Sequence, residues 1–403
     1  MRPGPVAAVA VVAAVLGGVA VLAIGSAVGI LGSDDGARTV YVSAASPPAG
    51  QRAASEAAAR PLLGNGFDPE AIYAQRSPGV VTIYATFGEP GHAAATAQGS
   101  GFVVSKEGVV LTNAHVVTTA GQTSGDPRGA SRLYVEFGDG DRVPASIVGW
   151  DVFNDVGVVR VEDSDHELTP VPLGDSAAVD VGEPVAAIGS PFGNQNSLAV
   201  GVVSATSRSI PSLTSGYDVA EAIQIDAPIN HGNSGGPLFD ARGRVIGINA
   251  QIRSDSGNAE GVGFAIPINS ARRSMEQLLA NGRVAYGFIG ITTEDVTPGL
   301  AKRFGLGAER GALIAVVQDG TPAAKAGLRG GSRQERFNGL DVTLGGDLIT
   351  AIGGQRVQSA EDVSRIVSSL LPGQAVKLTV LRGGKTRDVV SVKLAERPAR
   401  TEP

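Results

Sequence analysis

Between residues 67 and 282 the chain consists of short apolar runs separated by glycine-containing turns. The runs are rich in Val, Ile and Leu, and no long helical period occurs before Asn269–Leu279. Many short strands in one segment predict an antiparallel β architecture, and this length suits two barrels packed together. The predicted strands are Val80–Tyr84, Gly101–Val104, Gly108–Val117, Leu133–Phe137, Val156–Val161, Pro184–Ile188, Leu198–Ala205 and Val245–Ile252, with hairpin connections at Gly138–Asp141 and Asp240–Gly243.

Residues 283–396 follow a mixed pattern and are predicted to form a second, smaller domain. Ser359–Asp362 is typical of the capped start of a helix, and apolar residues follow it at helical spacing from Val363 to Leu370. Apolar and polar residues then alternate, and Gly383-Gly384 turns the chain before a return strand. We therefore expect an α+β domain with strands and one clear helix.

The N-terminus carries an uncharged apolar run, Pro5–Leu31, that is long enough to cross a bilayer. It predicts a transmembrane anchor in residues 1–32, and the Ala-, Ser- and Pro-rich residues 33–66 predict a flexible linker. Arg2 before the run, with Asp34 and Asp35 after it, favours an outside location for the rest. A long cleaved signal peptide is the alternative. Either way, we expect extracytoplasmic domains, single-pass at the cell membrane if the anchor is kept.

Charge and cysteine content exclude several classes of function. The formal net charge is −6, so no basic excess is present to neutralise the phosphates of a nucleic acid. The chain has no cysteine, which rules out disulfides, thiolate catalysis and a cysteine-ligated zinc site. No cluster of metal ligands is apparent either.

The densest chemical signal is Gly232–Leu238, with the sequence GNSGGPL. A serine between glycines can lie on a tight turn with backbone N–H groups directed toward one point. Acyl transfer needs this arrangement, because the tetrahedral intermediate places negative charge on an oxygen. We predict Ser234 as the nucleophile and the N–H groups of Gly232 and Ser234 as the oxyanion donors, with Asn233 contributing to the turn.

The same residues also fit the nucleophile elbow of α/β-hydrolases, which requires a histidine after the serine. All four histidines precede Ser234, and Pro237–Asp240 leads into a hairpin rather than a helix. The α/β-hydrolase interpretation therefore fails. The four histidines are His92, His115, His166 and His231.

The general base is predicted upstream, where His115 ends an apolar strand. Asp155 starts another apolar strand and can be buried beside the imidazole to fix its tautomer. Asp151 is the rival carboxylate, but it lies farther from that apolar run. The order is His115, Asp155 and Ser234, which is the order of a chymotrypsin-type catalytic triad.

At these positions the chain resembles the HtrA (DegP-type) family of trypsin-like proteases. The segments TNAHVV, NDVGVVRV and GNSGGPL carry the resemblance, with QIDAPIN before the serine and GVGFAIP after it, over about residues 69–396. It implies a mainly β, chymotrypsin-like double β-barrel with the triad in the cleft. It also implies no cofactor, a homotrimer, and cleavage of unfolded, misfolded or damaged envelope proteins.

Two positions depart from the family pattern. The family usually has alanine where Gly157 stands, and this glycine is expected only to loosen a strand. It usually has proline where His231 stands. That histidine is either a solvent-facing loop residue or a group that gives the oxyanion loop a pH response.

In this family the segment before the serine and the GVGFAIP strand line the pocket beside the scissile bond. The lining residues at those positions are Ile229, Val262 and Phe264, all apolar. The family carries an aspartate at the position of Asp226 without trypsin-like specificity. We expect cleavage after small aliphatic residues such as Val or Ala.

The C-terminal domain resembles a PDZ domain, in which backbone N–H groups receive the terminal carboxylate of a peptide. The loop that corresponds is Phe288-Ile289-Gly290-Ile291. Thr321–Leu328 and Gly345–Ile349 also resemble PDZ segments, and Arg329–Leu344 between them is predicted to be an exposed insertion. The expected partners are C-terminal hydrophobic peptides. A catalytically silent PDZ-bearing chaperone or scaffold is the alternative function.

Overall fold

The computed structural model describes residues 66–88, 95–120, 126–162, 166–190, 196–230, 232–250 and 261–398. The predicted anchor, nearly all of the predicted linker, and His231 lie outside these residues. Within the described part of the chain, no helix is both long and apolar enough to cross a membrane.

A short helix, α1 (Pro69–Arg76), and one turn of 3-10 helix (Ser77–Gly79) precede the first six strands. These strands close into an antiparallel barrel in the order β1-β2-β3-β6-β5-β4. Their apolar side chains alternate inward and form a separate core cluster. The strands are β1 (Val80–Phe87), β2 (Ala95–Val103), β3 (Val109–Thr112), β4 (Arg132–Glu136), β5 (Arg142–Asp151) and β6 (Val156–Val161); a single helical turn, α2 (Ala114–Val117), follows β3.

The next six strands close a second barrel in the order β10-β11-β12-β9-β8-β7. The two closed barrels confirm the predicted double-barrel, mainly β fold. The strands are β7 (Pro184–Gly189), β8 (Ser197–Pro211), β9 (Asp218–Ile225), β10 (Pro237–Phe239), β11 (Val245–Ala250) and β12 (Gly263–Pro267), with a turn of 3-10 helix (Ser176–Ala178) before β7 and α3 (Ile268–Asn281) after β12.

One apolar cluster joins the two barrels into a single body. Phe102 and Leu111 of the first barrel share this cluster with Ile188 and Phe239 of the second. Leu278 of α3 packs into it as well. The cleft between the barrels therefore has a continuous buried floor, which fixes groups from one barrel relative to groups from the other.

The C-terminal domain is an α+β unit, as predicted. Its main sheet runs in the order β14-β15-β18-β20-β21, and the Ser359 hydroxyl caps its long helix by accepting the N–H of Asp362 at 3.3 Å. The strands are β13 (Gly287–Phe288), β14 (Ile291–Val296), β15 (Gly311–Val317), β16 (Arg333–Phe337), β17 (Leu340–Leu344), β18 (Leu348–Ile352), β19 (Gln355–Arg356), β20 (Ala375–Arg382), β21 (Thr386–Lys393) and β22 (Ala395–Glu396); the helices are α4 (Pro298–Phe304), α5 (Pro322–Lys325) and α6 (Ala360–Ser368).

Two segments differ from the sequence-based prediction. The predicted strand Gly108–Val117 ends at Thr112, because Asn113 starts a helical turn whose Ala114, Val116 and Val117 are buried. The predicted insertion Arg329–Leu344 is not merely an exposed connection. Most of it forms the hairpin β16–β17, closed by Asn338-Gly339 with positive φ at both residues, and its Leu344 is buried.

Candidate active site

His115 and Asp155 are joined by two hydrogen bonds. The Nδ1 atom of His115 lies 2.6 Å from Oδ2 of Asp155, and the backbone N–H of His115 donates to Oδ1 at 2.9 Å. A carboxylate only accepts, so Nδ1 carries the proton and Nε2 keeps its lone pair free. The Asp155 side chain is 5% exposed and that of His115 is 21% exposed, which leaves the imidazole edge open to the cleft.

The backbone around the pair holds it from both sides. The carbonyl of Asp155 accepts the N–H of Ala114 at 3.1 Å and the side-chain amide of Asn113 at 2.8 Å. Asp155 adopts a positive φ of 52°, an uncommon conformation for a residue other than glycine, directly before β6. Because β3 pairs with β6 at Thr112 and Gly157, the two strands bring His115 and Asp155 together.

The environment sets the pKa of His115. Burial by itself lowers this pKa, but the negative charge of Asp155 and the hydrogen bond to it outweigh burial and raise the pKa above its ordinary value. The ion pair therefore stabilises the imidazolium that forms when the histidine takes a proton.

Ser234 lies on a tight loop that leads into β10, in the second barrel. Its carbonyl accepts the N–H of Ser100 at 2.8 Å, and the N–H of Gly235 donates to Asn249 at 2.9 Å. Gly235 has φ +86°, and a Cβ there would lie 2.1 Å from the carbonyl oxygen of Ser100. Only glycine fits this position, so the predicted glycine-flanked turn has a direct steric reason.

Ser234 is 4% exposed and its hydroxyl has no hydrogen-bond partner among the described residues. In this conformation the hydroxyl is therefore not bonded to His115. Such contacts are often long before substrate binds. Within the described part of the chain, the N–H groups of Gly232 and Ser234 donate no hydrogen bond.

Ser100 connects the two halves of the site, and sequence reasoning missed it. Its hydroxyl donates to the carbonyl of Gly232 at 2.6 Å and accepts the N–H of Ser190 at 2.9 Å. Within the first barrel, Thr112 donates to the carbonyl of Ser100 at 2.7 Å and holds this residue in place. No local sequence pattern around Ser100 predicts that it links the barrels, because its partners in the second barrel are distant in sequence.

The three predicted pocket residues lie in different environments. Ile229 is buried in the core of the second barrel, close to Gly263. Phe264 packs instead against Ile210 and its neighbours at the β8–β9 hairpin. Val262 is 53% exposed. The structure thus places Ile229 and Phe264 in separate clusters.

The predicted carboxylate loop joins β13 to β14. The carbonyl of Ile289 accepts the N–H of Ala323 at 2.9 Å, and the carbonyl of Gly290 accepts that of Gln318 at 3.0 Å. Among the described residues, the N–H groups of Ile289 and Gly290 donate no such bond. Strand β14 is an edge strand of the sheet, beside α6. This geometry suits the addition of a peptide strand.

No group of three or more potential metal ligands occurs among the described residues.

The fold and the site together define a trypsin-like serine protease domain followed by a PDZ domain. The family model "Trypsin-like peptidase domain" matches residues 99–248, and "PDZ domain" matches residues 287–394. A structure described as the HtrA-type protease AlgW with tripeptide is 34% identical, with a TM-score of 0.66, and the match covers 82% of this chain and 98% of that one. The serine endoprotease from Yersinia pestis is 28% identical, with a TM-score of 0.57, over 82% of this chain and 98% of that chain.

Curated relatives agree with the structural comparison. Probable periplasmic serine endoproteases, DegP-like, from Brucella suis biovar 1 and Hahella chejuensis are 40% and 39% identical. The matches cover 77% and 78% of this chain, but 54% and 61% of those proteins. The chain thus spans about half to three-fifths of the length of the curated relatives it matches. It belongs to the HtrA-type family of serine proteases.

Proposed function

We propose that this chain is a serine endopeptidase in which His115, Asp155 and Ser234 act as the catalytic triad. The observation that carries the proposal is the doubly hydrogen-bonded His115–Asp155 pair, which leaves Nε2 free as a base. A silent scaffold would have no need for an imidazole fixed in this tautomer beside a glycine-flanked serine.

In the proposed reaction Ser234 Oγ attacks the scissile carbonyl carbon while Nε2 of His115 takes the hydroxyl proton. The imidazolium then gives this proton to the leaving amine, and an acyl-enzyme forms. A water molecule, deprotonated by His115, attacks the ester, and the proton returns to Ser234 as the acid product leaves. Asp155 keeps its charge throughout and stabilises the imidazolium.

The negative oxygen of each tetrahedral intermediate is proposed to bind between the N–H groups of Gly232 and Ser234. Fixed donors at this point contribute about 2.7–4 kcal/mol each in comparable sites. Asn233 shapes the turn: its N–H donates to Asn230 at 3.0 Å and its carbonyl accepts the N–H of Gly236 at 3.0 Å.

The proposed substrates are unfolded or damaged proteins of the cell envelope, because the relatives are named as periplasmic endoproteases. From the family resemblance, Ile229, Val262 and Phe264 are proposed to line the pocket before the cleaved bond, and their apolar character favours a small aliphatic residue there. The separate packing of Ile229 and Phe264 means that Phe264 or Ile229 must move to complete such a pocket. Preference for Arg or Lys in a peptide-library digest would contradict this assignment.

The PDZ domain is proposed to regulate cleavage by binding C-terminal hydrophobic peptides at Phe288-Ile289-Gly290-Ile291. The apolar run Pro5–Leu31 is proposed to anchor the chain in the membrane, with a homotrimer as the assembly. Each of these points has its own test: a peptide titration, membrane fractionation, and the mass of the purified protein in solution.

The central experiment is digestion of casein by the full chain beside its Ser234→Ala variant. We expect cleavage by the parent and none by the variant. If neither cleaves, the assay is repeated with hydrophobic C-terminal peptides. Continued absence of cleavage would favour the scaffold function instead.

A further inference from the structure

Asp151 is a carboxylate outside the proposed triad that is almost completely buried. It is 1% exposed and ends β5, on the turn that leads to Asp155. Its Oδ1 atom accepts the backbone N–H of Phe153 at 2.9 Å and that of Asn154 at 3.3 Å. A single side chain thus closes the turn that presents Asp155.

The other oxygen of Asp151 reaches residues far away in sequence. It accepts hydrogen bonds from the Ser274 hydroxyl of α3, at 2.7 Å, and from the Tyr286 hydroxyl. The Tyr286 hydroxyl also accepts the side-chain amide of Asn154 at 2.6 Å. Tyr286 lies between α3 and β13, so one hydroxyl at the entry to the PDZ domain holds two residues of the turn.

The last described segment of the chain covers this network. The guanidinium of Arg397 lies 5.1 Å from the ring centroid of Tyr217, 5.3 Å from that of Tyr286 and 5.4 Å from that of Phe153. The backbone N–H of Arg397 donates to the Tyr286 carbonyl at 2.9 Å. Arg397 therefore fastens the PDZ end of the chain onto the turn, through cation–π contacts that are stronger away from water.

The charged groups that face this network come from five parts of the chain. Asp151 lies on the turn, Arg273 on α3 and Arg397 on the C-terminal segment. The cavity beside Tyr286 and Arg397 is also lined by Asp218 and Glu221 of β9 and by Arg365 of α6. Burial raises the pKa of Asp151 and, strongly, that of Tyr286. If either partner of such a buried hydrogen bond is removed, the other is left unpaired and the free energy of unfolding falls.

We propose that Asp151 and Tyr286 are positioning residues for the reaction, because they hold the turn in the conformation that brings Asp155 to His115. Through Tyr286 and Arg397, the position of this turn then depends on how the PDZ domain packs against the protease domain. The proposal rests on the proposed endopeptidase function. Neither residue touches substrate; both act through the turn. A displacement of a catalytic group by about 1 Å can slow a reaction about a hundredfold.

The first test compares Tyr286→Phe with Tyr134→Phe in the full chain. Tyr286→Phe removes one hydroxyl and keeps the ring under Arg397, whereas Tyr134 is 38% exposed on β4 and serves as the matched control. With a fluorogenic peptide chosen from the library digest, we expect kcat to fall tenfold to a hundredfold in Tyr286→Phe, with KM unchanged, and no change in Tyr134→Phe.

A second readout is the pKa of His115, followed by NMR of labelled histidine. Among the described residues, Asp155 is the charged group that raises this pKa. If the turn loosens in Tyr286→Phe, the pKa of His115 falls toward or below its ordinary value, and the acid limb of kcat/KM moves to lower pH. A purely structural role would lower thermal stability and leave both quantities unchanged.

Asp151→Asn and Asp151→Ala complete the experiment. Asparagine keeps an oxygen for the N–H groups of Phe153 and Asn154, so we expect Asp151→Asn to retain more activity than Asp151→Ala. If Asp151→Ala fails to fold, Tyr286→Phe still decides. An inactive parent would contradict the endopeptidase function, and the His115 titration would still test the turn. Equal kcat and equal His115 pKa in Tyr286→Phe and Tyr134→Phe would overturn the proposal.

Discussion

The two barrels prepare their halves of the site to different degrees. In the first barrel, four hydrogen bonds join Asp155 to residues 113–115, so the acid and the base are fixed to each other. In the second barrel, the Ser234 backbone is held through Ser100, but within the described residues its hydroxyl has no partner. The proposed acid–base pair is therefore already assembled, while the hydroxyl of the proposed nucleophile is not yet bonded to it.

This contrast shows where control over activity can act. A rigid pair keeps the imidazole in one tautomer, so no free energy is needed to reorganise it when substrate binds. The serine loop is the variable half, because a small shift of Ser234 makes or breaks its contact with His115. A movement of this loop would also change its hydrogen bonds to Ser100 of the first barrel, while the four bonds of Asp155 would stay in place.

Asp155→Asn should break the rigid half with the largest effect. The asparagine side chain is neutral and can donate an N–H to Nδ1, so the imidazole can adopt the tautomer in which Nε2 carries the proton. We expect kcat on casein or a peptide to fall about 10⁴-fold, as removal of this charge does in comparable triads. A loss of less than tenfold would mean that Asp155 is not the orienting carboxylate.

Ser100→Ala should break the link between the halves. The Gly232 carbonyl and the Ser190 N–H lose their shared partner, and two buried polar groups left unpaired cost about 1–3 kcal/mol each. Denaturant unfolding should show the loss, and kcat should fall as the oxyanion loop moves. Ser146→Ala, on the exposed side of β5, is the matched control and should change neither.

Gly157→Ala should strain the first barrel by a smaller amount. A Cβ at this position would lie 2.9 Å from the carbonyl oxygen of Asn113 and 3.0 Å from the Val117 side chain. Overpacking of this kind costs about 1–3 kcal/mol. We expect a lower unfolding midpoint in denaturant. Gly138→Ala, whose Cβ would meet only the end of the Asn196 side chain at 2.9 Å, should be close to neutral.

The smallest expected effect is a shift in the pH dependence of activity, which depends on the His115–Asp155 pair. His115 accepts a proton only in its neutral form, and its pKa is raised above the ordinary value of 6.5 by Asp155 against the effect of burial. Activity should therefore rise with pH through a midpoint above 6.5, and the imidazolium below that point should be inactive. A midpoint below 6.5 would mean that burial outweighs the carboxylate.

Much of this arrangement follows from local sequence. The run Val156–Val161 was predicted as a strand with the same bounds as in the structure. Its four valines, one glycine and one arginine are typical of a buried strand. The glycine-flanked Ser234 and the order of His115 and Asp155 were sufficient to predict a serine protease. The helical turn that carries His115 was missed, because an apolar run has the same appearance in a strand and in a buried helical turn.

The sequence by itself determined the strand-rich class, the candidate triad, and the two-domain order. These features depend on side-chain alternation, turn residues and reactive groups, all of which are written locally in the chain. Only the tertiary structure decided that Ser100 joins the barrels and that Tyr286 bonds to Asp151. The latter two residues are separated by 135 positions. Such contacts depend on how closed barrels and a following domain pack in space, and no local pattern records that distance.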